Sequence, residues 1–220
     1  MTPPRLHRWA GLSAIAAVAV FAVGNALWAF EQPEPGASGA ELIGFYTDLS
    51  DRIAIGGWLS LISIAIFIVF AGAMRSVIIE LEGDELLANV AFGGVLVGLA
   101  AGIGAEGLNM VAALRAGDGE LSEPLAQALF ETSYLFGTSG AGIGFGVAML
   151  AIGAAALRTR ALAPRWLAWI AVACGAAMLT PLWYDVLAEY AIGPSFVLLA
   201  VLGGLLLRGS ALPAGRPATA

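Results

Sequence analysis

The sequence predicts an all-α integral membrane protein, a single bundle of six transmembrane helices with both termini on the cytoplasmic side. Three observations carry that prediction. Hydrophobic residues make up 60% of the chain and charged residues 12%, with a mean hydropathy of +0.88. An average soluble domain carries about 25% charged residues. Several apolar runs exceed the roughly 18 residues that mark a bilayer crossing. The third observation is the distribution of arginine, which follows once the spans are placed.

The first span covers 9–30, after a cytoplasmic N-tail at 1–8 that carries Arg5 and Arg8. Its apolar run is longer than the roughly 7–15 residues of a signal-peptide core, and no small-residue cleavage site follows, so it is expected to be retained. The segment Gln32-Pro-Glu-Pro-Gly-Ala-Ser-Gly39 has turn chemistry. Beyond it Leu42, Phe45, Leu49 and Ile53 recur at helical spacing, which predicts a short amphipathic helix at the interface. The second span is expected at 53–74, with a charged connection from Arg75 to Glu85, and the third at 86–109. Ser122 as an N-cap and Pro124 in the first turn open the fourth span, at 125–157. A basic turn, Arg158 to Arg165, leads to the fifth span at 164–187, in which Pro181 is expected to bend the helix. A hairpin with Asp185, Glu189, Tyr190 and Pro194 precedes the sixth span at 191–207, and 208–220 reads as a disordered cytoplasmic tail.

These spans leave Arg5, Arg8, Arg75, Arg158, Arg160, Arg165, Arg208 and Arg216 on one side, and only Arg52 and Arg115 on the other. The positive-inside rule makes the arginine-rich side cytoplasmic. The formal charge is then +4 inside and −10 outside, so the outer face is anionic.

Composition excludes several chemistries. The chain has no lysine, which excludes a Schiff-base lysine and with it a retinal pigment. His7 is the only histidine, which excludes a bis-histidine haem and a multi-histidine metal site. Cys174 is alone, so no intrachain disulfide exists. No G-x-S-x-G, H-E-x-x-H or P-loop motif occurs. Neither catalytic residues, nor a metal, nor a cofactor, nor a nucleic-acid partner is expected.

Two glycine-rich runs dominate the middle of the chain. Gly102-Ile-Gly104-Ala-Glu106-Gly107 matches G-x-G-x-x-G, but it lies late in a helix-length run rather than at a strand-to-helix turn, which argues against a nucleotide site. Gly94, Gly98 and Gly102 fall four apart, as do Gly140 and Gly144, and Gly142 and Gly146. Such spacing lets helix backbones approach closely in lipid and predicts antiparallel pairing of the third and fourth spans.

The candidates for binding a ligand or a proton are Glu106, Glu131, Asp185 and Glu189, with Asn109 and Tyr134 beside them and Asn25 as a further polar neighbour. Depth decides their role. Glu106 lies 20 residues beyond Leu86 and Asp185 lies 20 beyond Arg165, about 30 Å at 1.5 Å per residue, the full thickness of the hydrocarbon. One reading is a rim of solvated acids at the outer boundary. The other is an outward-facing acidic vestibule that binds a cation, a proton or a cationic ligand. Trp9, Trp28, Trp58, Trp166, Trp169 and Trp183 fall mostly near span ends, where indoles anchor at headgroup level; Trp28 and Trp183 are the two that could line a ligand instead.

The stretch Arg158-Thr-Arg160-Ala-Leu-Ala-Pro164-Arg165-Trp166-Leu-Ala-Trp169-Ile170 resembles the signature of a bacterial multi-pass membrane family known as domain of unknown function 4386. There, too, an arginine- and proline-containing turn precedes a helix opening Trp-Leu-x-Trp. The resemblance spans roughly 9–180 and implies the bacterial inner membrane and no particular activity. Three functions are thus open: a non-enzymatic protein that binds lipid, a partner membrane helix or a second copy of itself; a small carrier or sensor using the acidic vestibule; and, last, a hydrolase using paired carboxylates.

Overall fold

A computed structural model describes residues 3–83, 85–159, 161–180 and 185–211, with the side chains at 3–4, 185–190 and 209–211 outside that description. The described residues are helical throughout, apart from turns. Eight α-helices follow in order: α1 (Pro3–Ala26), α2 (Gly39–Asp48), α3 (Ser50–Glu82), α4 (Glu85–Gly117), α5 (Glu123–Leu135), α6 (Ala141–Thr159), α7 (Arg165–Met178) and α8 (Asp185–Ala211). A π-helical turn, Phe136–Gly140, joins α5 to α6, so that Glu123–Thr159 is one rod. Five helices are long and apolar enough to cross a membrane, while α7 is apolar but shorter.

Several boundaries differ from the sequence expectation. α1 already starts at Pro3, which supplies a helix-compatible first turn, so the tail bearing Arg5, His7 and Arg8 is helical. α3 continues through the expected charged connection to Glu82 and ends only where Gly83 turns left-handed at φ 75°. Charge does not break a helix that has passed the hydrocarbon, and here the charges tie neighbours together. Arg158 pairs with Glu82 at 2.8 Å, Arg75 bonds Asn89 at 2.8 Å, and His7 approaches Glu80 to 3.7 Å. α4 runs eight residues past Asn109, to Gly117. α8 begins at Asp185, within the expected hairpin, and carries Pro194 inside it. The bend expected at Pro181 falls outside the described residues, as do residues 212–220 of the expected tail.

The long helices close into a ring. α1 lies between α3 and α8, α4 between α3 and α6, and α7 between α6 and α8. Phe67 of α3, Phe145 of α6 and Phe196 of α8 meet inside it, with ring centroids 5.7–6.3 Å apart. At the end opposite the charged turns, α2 and α5 pack across α4 and form a second, smaller core around Leu42, Phe45, Tyr46 and Phe130. Ser38 caps α2, accepting a hydrogen bond from the Glu41 amide at 3.3 Å. The helix buries one face, which makes it a cap on the bundle.

The glycines of α4 and α6 divide their tasks. A Cβ at Gly94 would stand 2.7 Å from Gly144 O and 2.8 Å from Ala148 N, and one at Gly144 would overlap the backbone of Gly98. Gly98 receives the Phe145 ring, and Gly140 faces Ala101. These positions form the expected α4–α6 seam. Gly102 instead looks toward Ile64 of α3 at 3.9 Å, Gly146 packs α6 against Gly175 of α7, and Gly142 is buried on α6. Gly24 and Gly56 make a comparable approach between α1 and α3 that the spacing argument did not identify.

The Glu82 side chain is only 7% exposed, whereas its partner Arg158 is 60% exposed. Arg158→Met should therefore destabilise the bundle, because it leaves a shielded carboxylate without its cation. Removing one member of a fully buried pair costs about 3–5 kcal/mol. Solvent screening of the exposed guanidinium brings the expected loss to about 1–3 kcal/mol. Thermal unfolding in detergent measures it, and adding Glu82→Gln to the same chain should recover most of the loss.

Candidate functional site

Below the cap lies a cavity of about 290 Å³, lined by α1, α4, α8 and the α5–α6 rod. α4 contributes Ala105, Glu106 and Asn109, which a helix places on one side at i, i+1 and i+4. α1 contributes Phe21 and Asn25, with Trp28 and Gln32 just beyond its end. The rod contributes Ser133, Tyr134, Gly137 and Thr138, where the π-helical turn widens the helix. Such turns occur frequently at functional sites.

Most of the polar groups here are committed to the scaffold. Ser133 Oγ donates to Ala105 O at 3.1 Å, and Thr138 Oγ1 to Tyr134 O at 2.7 Å. Asn25 Nδ2 donates to Phe21 O at 3.1 Å. The Tyr46 hydroxyl comes down from α2 and donates to Asn109 Oδ1 at 2.9 Å. Burial pushes the Tyr46 phenol well above its ordinary pKa, so it remains a protonated donor. Cap and cavity are thereby joined by one buried hydrogen bond.

Three groups are left over. Glu106 is 8% exposed, and its Oε2 is buried without a hydrogen-bond partner, as are Ser60 Oγ and Trp28 Nε1. Ser60, on α3, stands beside the carboxyl group, but neither Ser60 Oγ nor Glu106 Oε2 meets hydrogen-bond geometry. Two glycines of α3 make the room. A Cβ at Gly56 would meet the Trp28 indole at 2.8 Å, and one at Gly57 would strike Met110 and stand 3.7 Å from Glu106 Oε2.

The expected site residues thus divide. Glu106, Asn109 and Tyr134 border one cavity, with Asn25 and Trp28. Glu131 is exposed and is not among the lining residues, so it does not share that space. Asp185 and Glu189 open α8, but their side chains lie outside the described residues, as does Trp183. Glu106 does not stand in a solvated rim, and the reason is the length of α4. With the helix running to Gly117, Glu106 lies eleven residues from its end, about 16 Å at 1.5 Å per residue, under the turns that α2 and α5 cover.

Arg52, one of the two arginines at this end, pairs with Glu31 at 2.9 Å. Trp9, Trp58, Trp166 and Trp169 are 55–62% exposed, in keeping with anchoring, whereas Trp28 is 5% exposed. Ser60, Gly57, Ser133, Thr138 and Gln32 escaped the sequence reading. The available signal was a polar residue inside an apolar run, most clearly in Gly56-Gly57-Trp58-Leu59-Ser60. Compared with protein-family models, curated proteins and solved structures, the chain matches none.

Proposed function

We propose that this chain is a multi-pass protein of the bacterial inner membrane, with six crossings and cytoplasmic termini, that acts as a small carrier or sensor. Its ligand site is the cavity beneath the α2–α5 cap, and the ligand brings positive charge to Glu106. α7 makes the sixth crossing despite its length, because it completes the ring between α6 and α8. The arginine-rich end and the resemblance of the 158–170 turn support the orientation and the membrane.

The observation that carries this reading is the carboxyl group of Glu106, buried on a cavity wall with Oε2 unpartnered. An unpaired charge in such a place costs several kcal/mol, and ionisable groups kept inside a membrane are functional by default. Among the described residues no arginine or histidine lines the cavity, and the sequence at 181–190 contains none. Charge compensation therefore comes from a proton or from a bound cation. A partner-helix role is less favoured, because Gly94, Gly98, Gly144 and Gly146 are spent on packing inside the bundle.

The test is methylammonium titration of the protein in lipid nanodiscs, with sodium at equal ionic strength as control. Methylammonium should raise the melting temperature of the parent in a saturable way, as for any ligand selective for the native state. Glu106→Gln should melt at or above the unliganded parent and lose the response by at least tenfold in apparent affinity. An unchanged response in that variant would overturn the proposal.

A further inference from the structure

The cavity does not end at its polar lining. Directly against it lies a second hollow of about 70 Å³, bordered by Ile64, Phe67, Leu99, Ala141, Phe145 and Phe196. Phe21, Gly137 and Ile192 border both spaces. Phe21 and Phe196 stack at 4.6 Å between centroids, so the second hollow is walled by phenyl rings on the bundle axis. A water molecule needs two to four polar partners to settle in a cavity, and none of these side chains offers one. An apolar group fits there.

The polar cavity supplies complementary chemistry. Glu106, whose Oε2 has no hydrogen-bond partner, lines it, together with the carboxamides of Asn25, Gln32 and Asn109 and the Trp28 indole. Aromatic rings attract cations over their faces, and both Trp28 and Phe21 border the space. Glu106 is the one acid among the described residues that line the cavity, and a single positive charge matches it. Polar head space and apolar hollow are adjacent and share walls. We infer that the ligand is an organic ammonium ion with an apolar, preferably aromatic, body, its charged head at Glu106 and its body among Phe21, Phe67, Phe145 and Phe196.

This inference rests on the ligand site proposed above, and its test separates the two. Calorimetric titration of the full chain in nanodiscs compares 2-phenylethylammonium, methylammonium and neutral 2-phenylethanol. The phenyl-bearing cation should bind at least tenfold more tightly than methylammonium, and the alcohol at least tenfold more weakly than the phenyl-bearing cation. Phe196→Leu should remove most of the gain from the phenyl group and leave methylammonium binding within twofold. If Phe196→Leu fails to fold, Gly137→Ala decides: its Cβ would make ordinary contact with Ala105 at 3.6 Å while narrowing the junction of the two spaces. That variant should weaken the phenyl-bearing cation selectively. If methylammonium binds through Glu106 but the phenyl group adds less than twofold, the ligand class is wrong and the site stands. If the alcohol binds as tightly as the cation, the hollow is a neutral apolar site and the inference falls. If neither cation depends on Glu106, both proposals fall.

Discussion

Gly144→Leu is expected to abolish the native bundle, with recovery of monodisperse protein from detergent falling close to nothing. A side chain there would meet the backbone of Gly98 and the carbonyl of Gly94, not the yielding tip of a neighbouring side chain. Overpacking a core costs about 1–3 kcal/mol where side chains can shift, occasionally more. Where backbone is the obstacle, α4 and α6 must separate along their length, and close backbone approach is what holds helices together in lipid. Gly144→Ala should already lie at or above the top of that range. Gly93→Ala on α4 is the matched control, since no heavy atom stands within 4 Å of its would-be Cβ. That substitution should be neutral or stabilise by up to about 1 kcal/mol through helix propensity. A Gly144→Leu protein that melts like the parent would refute the seam.

Asn109→Leu should cost about 1–3 kcal/mol, because it leaves the wholly buried Tyr46 hydroxyl without an acceptor. Tyr46→Phe should cost less, about 1 kcal/mol, since the Asn109 amide borders the cavity and can turn to water. The double variant should lose less than the sum of the two, and the shortfall is the coupling across the cap. The same bond sets an alkaline limit. The folded state holds the Tyr46 proton more tightly than the unfolded chain, whose phenol ionises near pH ~10. Above that pH the folded state binds more protons, so stability falls as pH rises. Tyr46→Phe should flatten that fall, and chemical denaturation at pH 8 and pH 10.5 would show whether it does.

Periodicity and composition revealed the long apolar helices because a bilayer crossing leaves a signal tens of residues wide. Their ends were harder to place, since Glu80, Glu82 and Arg115 stand on helix turns that outrun the hydrocarbon. Hydropathy treats such turns as loops. Counting 20 residues from Leu86 set Glu106 at the outer boundary, but α4 runs on to Gly117 beneath α2 and α5, which puts the acid under a roof. The roof itself was half legible. Leu42, Phe45 and Leu49 marked α2 as amphipathic, but the pattern does not say whether such a face lies on lipid or on protein. Tyr46 decides it, and its bond to Asn109 spans 63 positions of sequence, beyond the reach of any local pattern. The seam was legible at Gly94, Gly98 and Gly144 and misassigned at Gly102 and Gly146. Spacing gives the stripe, and only the neighbouring helix says which stripe is used.

The π-helical turn at Phe136–Gly140 sets the rotational phase of everything that follows it. Each residue of an α-helix advances the chain by 100°, so drawing that turn into regular α-helix would rotate α6 by a comparable angle relative to α5. Gly144 would swing away from Gly98, and Phe145 would leave the axis. Above the turn, Ser133 and Tyr134 face the cavity; below it, Gly144 faces α4. The two ends of the rod are therefore geared through five residues.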